Sequence, residues 1–447
     1  MESDVLRIVV LPWLAMGHLR PFLRLAKSFA RKGHRVSLIS TTGNIRRLPK
    51  VPEELSELVD LVGFPLPEIR DLPPGCESSM DTPPQKQYLL RTALDSLHDP
   101  TRKYLEEEKP DWIVYDYSFS WVPKMAAELG ISGAYFCVYP ACFLTFVGQG
   151  KGHAEYKLED LVNVPKWIPF PSNMAFRPHE LMRNKEMQHA TESDVERFNL
   201  VKESSSIFLL RSSPEIESEW IELLAKQYDK PVFPTGFLSV ADEENETPAD
   251  DRWIQITDWL DAQPPSSVVY VSFGSEVVLT RKEVHEISIG LERSGSPFLW
   301  ALLDRSDQLE LLPEGFLQNV GDRGRVYSGW APQVAILSHP SVGGFLTHCG
   351  WNSVTEALGC GRVLILFPVM NDQGLIARLM DSKGLGIEIP RDHMDGSFSG
   401  DDVAETVRFA MVEEGGGKLR ENARKMKELL EDKEKSQHYV DKALEYM

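Results

Sequence analysis

Two stretches of this 447-residue chain carry residue types at spacings that could do chemistry. The first is Gly17-His18, in PWLAMGHLRPFLRLAK, which follows an apolar run and precedes a helical pattern. A histidine there sits at the carboxyl end of a strand, and an unperturbed pKa near 6.5 suits a general base. Such a base needs an Asp that orients the imidazole and stabilises its protonated form. His34, His98 and His285 lack that placement and read as structural. The second stretch is Trp330 to Gln373, WAPQVAILSHPSVGGFLTHCGWNSVTEALGCGRVLILFPVMNDQ. Here an apolar strand ending at Leu346 runs into Thr347-His348-Cys349-Gly350-Trp351-Asn352-Ser353, after which a helical pattern begins. Gly350 permits a tight turn, and Asn352 or Ser353 is placed to cap the helix. The N–H groups of that first turn, with the positive end of the helix dipole, form an anion site that needs no net positive charge.

The elements that must hold these residues alternate strand and helix. Val5 to Leu11 is a buried-strand run, Pro21 to Lys32 has helical spacing, Gly33 stops it, and Val36 to Ser40 is the next strand. That βαβ unit predicts a parallel sheet. Further strands are expected at Trp112–Tyr115, Ala134–Val138 and Ile207–Leu210. Pro49 to Pro84 and Lys151 to Arg183, rich in Pro and polar residues, read as long loops with short helices. Ala241 to Asp251, with six acidic residues, reads as a solvated linker. The alternation then restarts with strands at Ser267–Phe273, Pro297–Leu303, Gly343–Leu346 and Val363–Phe367, and a helix at Arg281–Ser294. Two α/β domains are therefore expected, with a ligand cleft between them. The first spans residues 1–240, the linker 241–252 and the second domain 253–430. A terminal helix, 431–447, is expected to pack back on the first domain. No short internal repeat is present.

Composition narrows the partners. Lys and Arg total 48 against 67 Asp and Glu, a formal charge of −19. Such a surface repels phosphate backbones and anionic lipid, so nucleic acid is not an expected partner. A hydrophobic fraction of 42% and a charged fraction of 26% belong to a globular chain. Five cysteines with no CxxC pair read as reduced thiols of an intracellular protein. The acidic start Met-Glu-Ser-Asp is unlike a signal peptide, and no apolar run reaches the roughly 18 residues of a membrane span. A soluble, cytoplasmic monomer is expected. No GxGxxG follows a strand, and the glycine-rich lysine loop of nucleotide triphosphatases is missing. HExxH, a DxD-like acidic pair and a Cys/His cluster are missing too, so neither nicotinamide nor metal is expected.

From Trp-Ala-Pro-Gln through His-Cys-Gly-Trp-Asn-Ser to Asp-Gln, the 44-residue stretch resembles the signature box of plant family 1 UDP-dependent glycosyltransferases. With the chain length, the linker and Gly17-His18, the resemblance covers essentially the whole sequence. It implies two Rossmann-like domains of GT-B type and a metal-independent, inverting transfer from a UDP-sugar co-substrate, with no other cofactor. It also implies roles. Trp330 would stack on uracil and Gln333 would help hold the uridine. His348, Asn352 and Ser353 would bind the diphosphate, aided by Ser275 in the Phe-Gly-Ser turn. Glu356 would take the ribose hydroxyls, and Trp351, Asp372 and Gln373 would contact the sugar. His18 is similar to the family's catalytic base, and Asp116, at the end of Trp112–Tyr115, occupies the position of its partner. Each role is chemically sound: an indole face suits a planar base, and a carboxylate accepts from a vicinal diol. Two departures are Val363, where relatives usually carry proline, and Arg20, where they carry an uncharged residue. Val363 is expected to alter loop stiffness, and Arg20 to face solvent or the acceptor mouth.

The Pro-Trp-Leu-Ala-Met-Gly-His start, Ser-Phe-Gly-Ser-Glu, and Asp111-Trp112 resemble the branch that extends sugars on terpenoid or flavonoid glycosides, often by 1→2 linkage. Gln373 favours glucose, although rhamnose and xylose users have similar boxes, and glucosylation of the aglycone stays open. A non-catalytic UDP-sugar binding protein would dispense with His18 or Asp116, and both are present. An epimerase would need the missing glycine fingerprint.

Overall fold

The computed structural model describes residues 5–83, 86–148, 158–187, 192–238, 251–302 and 308–447. The chain divides into two compact units. One comprises Met1–Tyr156, Lys185–Ser239 and Lys433–Met447, and the other Lys157–Asn184 and Val240–Asp432.

The first unit is built on a seven-stranded sheet. Its strands are β1 (Arg7–Leu11), β2 (Arg35–Thr41), β3 (Val59–Phe64), β4 (Trp112–Tyr115), β5 (Ser132–Cys137), β6 (Ile207–Leu210) and β7 (Val232–Pro234). They lie in the order β3-β2-β1-β4-β5-β6-β7, and every pairing is parallel. The order reverses between β1 and β4, and that is where open α/β sheets leave a crevice at the carboxyl ends of their strands. The second unit carries six parallel strands: β8 (Val268–Ser272), β9 (Phe298–Leu302), β10 (Gly324–Ser328), β11 (Val342–Thr347), β12 (Val363–Leu366) and β13 (Gly386–Glu388). Their order is β10-β9-β8-β11-β12-β13, so the reversal falls between β8 and β11.

The central strands are apolar on both faces, as a parallel sheet covered by helices requires. The residues of β4, β6, β8 and β12 are all buried. The helix after β1 runs Met16–Ala30 and begins five residues before the expected start at Pro21. Pro21 lies inside it and forfeits one backbone hydrogen bond. Burial of Leu19, Phe22, Leu23, Leu25 and Ala26 outweighs that loss and brings His18 into the helix's first turn.

The expected return of the chain end occurs. The helix Lys433–Tyr446 places Val440 and Ala443 in the core of the first unit. Tyr439 Oη donates to Glu215 at 2.7 Å, and the Trp112 indole N–H donates to the Met447 carbonyl at 2.7 Å. Two boundaries are corrected. Lys157–Asn184, assigned from sequence to the first domain, belongs to the second unit. The linker 241–252 falls outside the described residues up to 250, and Asp251 opens a helix running to Asp261. Val363 starts β12 at 2% exposure, so its side chain acts in the core and not on a loop. All five cysteines are free, four of them buried. Among the described residues no helix is long and apolar enough to cross a membrane.

One buried charge stands out in the first unit. Lys202, on the helix Glu192–Ser204, is fully buried, and its Nζ has no hydrogen-bond acceptor among the described residues. It lies over the Phe198 ring at 4.2 Å and the Tyr228 ring at 5.4 Å, which returns part of the desolvation. Burial pushes its pKa down to about 7. The unfolded chain therefore takes up this proton near pH 10, well before the folded one, and the folded state loses stability as pH falls toward 7. Lys202→Met is expected to raise Tm by about 4–8 °C at pH 6, from about 2 kcal/mol recovered. That gain should fade as pH approaches 10. Calorimetry at both pH values checks it, and a gain independent of pH would contradict this origin.

Candidate active site

In the first unit the site is set by the ends of β1 and β4. Asp116 follows β4 directly, and its backbone N–H donates to the Leu11 carbonyl at the end of β1 (3.0 Å). Its carboxylate is fully buried and held on both oxygens. Oδ1 accepts from the Tyr117 N–H at 2.8 Å, while Oδ2 accepts from the Trp13 N–H at 3.0 Å and meets His18 Nδ1 at 2.7 Å. A carboxylate accepts, so Nδ1 carries the proton and Nε2 is left as the basic nitrogen. His18, 9% exposed, is flanked by the Tyr139 ring at 5.5 Å and the Tyr117 ring at 5.9 Å. The Tyr139 hydroxyl stands 3.5 Å from Nε2. Trp13, Phe143 and Phe198 extend the aromatic cluster, with Trp13 and Phe198 each close to Tyr117 and Phe143 close to Tyr139. The dyad can accept a proton at Nε2 from a hydroxyl placed among these rings.

Arg20 is half-buried, two residues beyond His18 on the same helix. Helical residues two apart do not share a face, so Arg20 is not a neighbour of the imidazole along that helix. Asp111 and Trp112 are structural. The Asp111 carboxylate accepts from the Arg7 N–H at 2.8 Å, and the Trp112 indole anchors the chain end.

In the second unit every site candidate outside the helix Trp351–Gly359 and the helix Gln333–Ser338 follows the carboxyl end of a strand. Ser275 comes after β8, Trp330 after β10, His348 after β11, and Asp372 and Gln373 after β12. The helix after β11 runs Trp351–Gly359 with Gly350 at its N-cap, and no side chain caps it. The expectation of a cap from Asn352 or Ser353 is thus corrected, since both lie within the first turn. A helix amino terminus of this kind carries the positive end of the dipole, which favours an anion nearby.

His348 lies between two glycines. A Cβ on Gly274 would come within 2.7 Å of its ring, and one on Gly350 within 2.5 Å. Gly274 also has φ +72°, which only glycine adopts freely. Burial pushes the His348 pKa down to about 4, with the Ser272 backbone pulling the other way. The imidazole is therefore neutral at pH 7 and can serve an anion as an N–H donor, not as a cation.

Gln333 opens the helix Gln333–Ser338, and its Nε2 donates to Glu356 Oε2 at 2.9 Å and to Ser353 Oγ at 3.2 Å. The amide nitrogen must face Glu356, because an ionised carboxylate only accepts. Trp330 is 46% exposed, a large aromatic surface available to a planar ligand, whereas Trp351 is buried. Asp372 and Gln373 are buried at the start of the helix Gln373–Ser382. The Gln373 side-chain carbonyl accepts from the Val369 and Met370 N–H groups at 3.0 and 2.9 Å, so its amide N–H2 is the end left to donate. Among the described residues no cluster of three His, Cys, Asp or Glu side chains could hold a metal.

Residues 207–442 match the family model for UDP-glucoronosyl and UDP-glucosyl transferase. The chain belongs to this family. UDP-glycosyltransferase 91C1 of Arabidopsis thaliana is 48% identical over all of this chain and 97% of its own. Soyasaponin III rhamnosyltransferase of Glycine max is 40% identical over 97% of this chain and 94% of its own. Among solved structures, Glycyrrhiza uralensis UGT73P12 superposes with a TM-score of 0.82 at 24% identity, over 99% of this chain and 96% of that one. The protein is therefore a plant-type UDP-glycosyltransferase of GT-B fold, inverting, and acting without need of a metal.

The residues sequence reasoning missed are Tyr139 and Tyr117 beside His18, Gly274 beside His348, and Asn184 beside the turn before Asp372. Tyr139 lies two residues beyond β5, so the carboxyl-end rule that selected His18 would have found it.

Proposed function

We propose that this UDP-glycosyltransferase transfers glucose from UDP-glucose to a hydroxyl of a sugar already borne by a small plant metabolite, a terpenoid or flavonoid glycoside. The observation that carries the catalytic part is the His18 Nδ1–Asp116 Oδ2 bond of 2.7 Å at the reversal point of the first sheet. His18 Nε2 takes the proton of the acceptor hydroxyl. The oxygen attacks the anomeric carbon opposite UDP, the bond to the diphosphate breaks, and UDP-α-glucose yields a β-glucoside. Asp116 stabilises the imidazolium. The uncapped helix terminus at Gly350, the neutral His348 N–H and Ser275 take up charge on the departing diphosphate, as preorganised donors do.

On the donor side, Trp330 stacks on uracil. Glu356, held by Gln333, accepts from the ribose hydroxyls, and Asn352 and Ser353 face the phosphates. Asp372, Gln373 and Trp351 meet the sugar. UDP-sugar is the co-substrate, and no other cofactor takes part. The free cysteines favour a reducing, cytoplasmic setting. The aromatic rings around His18 favour a sugar acceptor, because tyrosine and tryptophan offer both an apolar face and a polar tip. The Glycine max relative's name pairs a rhamnosyl donor with a saponin, which makes UDP-rhamnose the second donor to test.

The test is UDP release and product mass with UDP-glucose and UDP-rhamnose, against flavonoid and terpenoid aglycones and their monoglucosides. Monoglucosides are expected to react at least tenfold faster than their aglycones, with a 1→2 linkage in the product. Faster turnover of aglycones would overturn the sugar-extending reading and leave the transferase standing.

A further inference from the structure

The turn Pro368–Asp372 is held backbone group by backbone group. The Pro368 carbonyl accepts from Arg391 Nη1 at 2.7 Å, and the Val369 and Met370 N–H groups donate to the Gln373 side chain. The next residue, Asn371, has φ +55°, a left-handed conformation that asparagine adopts more readily than most L-residues. Both of its backbone groups are met by one side chain. The Asn371 N–H donates to Asn184 Oδ1 at 2.6 Å, and Asn184 Nδ2 donates to the Asn371 carbonyl at 3.4 Å. Asn184 comes from 187 residues earlier in the chain. Asp372, the candidate sugar contact, follows Asn371 directly.

Asn184 is itself fixed. It sits on the helix Pro178–Met187, where three ion pairs tie the segment to the rest of the second unit. Arg177, just before the helix, grips Glu388 through both carboxylate oxygens (2.5 and 2.8 Å). Glu180 pairs with Arg378 at 2.8 Å, and Arg183 pairs with Glu283. The Glu180–Arg378 pair is buried. The Glu180 carboxylate also lies against Gly374, where an added Cβ would stand 2.5 Å from Oε2. A carboxylate at the first turn of the helix Gln373–Ser382 complements its dipole. The segment thus holds both sides of the Asp372-Gln373 pair.

We propose that Asn184 is a positioning residue for recognition of the donor sugar. It holds Asn371 left-handed, and that conformation aims Asp372 and Gln373 at the hexose hydroxyls. This rests on the reading of Asp372 and Gln373 as sugar contacts. It assigns to a segment from the first half of the sequence a part in choosing the sugar, not the acceptor.

The experiment compares the full-length wild type with Asn184→Ala and Asn184→Asp, measuring KM for UDP-glucose, UDP-rhamnose and UDP-xylose beside Ki for UDP. UDP lacks the sugar and reports on the rest of the donor site. In Asn184→Ala the KM for UDP-glucose is expected to rise about tenfold, with preference among the three sugars compressed and Ki for UDP within twofold of wild type. Asn184→Asp keeps the acceptor for the Asn371 N–H and should recover to within about threefold. If the alanine variant does not fold, Asn184→Leu, of similar volume, carries the same expectation. Unchanged sugar KM values and selectivity, or a parallel rise in UDP Ki, would overturn the proposal. Equal KM values in the aspartate and alanine variants would do the same. A wild type that binds UDP and UDP-glucose equally well would instead remove the sugar-contact reading, and the proposal with it.

Discussion

Asp116→Asn is expected to lower kcat by about 10³-fold while leaving UDP-glucose affinity unchanged. The substitution preserves shape and leaves an acceptor for one of the Trp13 and Tyr117 N–H groups, which now meet Asp116 Oδ2 and Oδ1. What it removes is the negative charge opposite His18 Nδ1 at 2.7 Å. An amide nitrogen facing Nδ1 would donate to it, which moves the ring proton to Nε2 and leaves no base at the nitrogen proposed to take the acceptor's proton. General-base catalysis contributes typically 10²–10⁴-fold, and the imidazolium also loses its counter-ion. Initial rates with UDP-glucose binding on the same preparations check this. An Asp116→Asn enzyme retaining a tenth of wild-type turnover would show that Asp116 is a strand-end cap and nothing more.

The second large effect is expected on donor binding, from Gly274→Ala. Two costs coincide there. The backbone at φ +72° is unfavourable for alanine by about 1–2 kcal/mol, and the new Cβ would lie 2.7 Å from the His348 ring. The His348 ring also lies close over Gly350, where an added Cβ would stand 2.5 Å from Nε2, so it is packed against both turns. The ring has to shift, and with it would go the proposed donor to the diphosphate, worth about 1.5–3 kcal/mol to a charged acceptor. The Kd for UDP is expected to rise about 100-fold in Gly274→Ala. In His348→Ala, which removes the donor without distorting the turn, the rise should be about tenfold. Titration calorimetry separates these cases, and a Kd within threefold of wild type in Gly274→Ala would discard the diphosphate site at this turn.

Much of this architecture was legible in the sequence, and the four strands that were not have one property in common. β3, β7, β10 and β13 are the edges of their sheets. An edge strand is covered less and pairs on one side only, so it needs neither length nor a continuous apolar run. β7 and β13 have three residues each, and in β3, VDLVGF, only Val59 is buried. The inner strands stood out because their apolar runs are longer, as in β4, β6, β8 and β12, whose residues are all buried. The position of His18 was legible because a carboxyl-end site needs only its own strand and helix to be recognised. Asn184 could not be found that way. Its partner is 187 residues distant, and nothing in Arg183-Asn184-Lys185 announces a contact with Asn371. Asp111-Trp112 shows the opposite case. It read as a mark of acceptor class, yet its side chains tie β1 and the chain end to β4.

The helix cap was misjudged for a physical reason. Asn and Ser are favoured at N-caps, but at Trp351–Gly359 the N-cap is Gly350, which has no side chain to cap with. The short polar residues Asn352 and Ser353 sit inside that first turn, where Ser353 Oγ instead accepts from Gln333. The local rule failed because glycine occupies the capping position itself, at the turn proposed to bind the diphosphate.

In the proposed mechanism an acceptor hydroxyl loses its proton to His18 as it attacks the UDP-sugar. The measurement that tests it most directly is UDP release from UDP-glucose by wild type and His18→Ala, with UDP-glucose affinity determined for both. Equal affinities are expected, with a kcat lower by about 10³-fold or more in the variant. Turnover in His18→Ala within tenfold of wild type would contradict it.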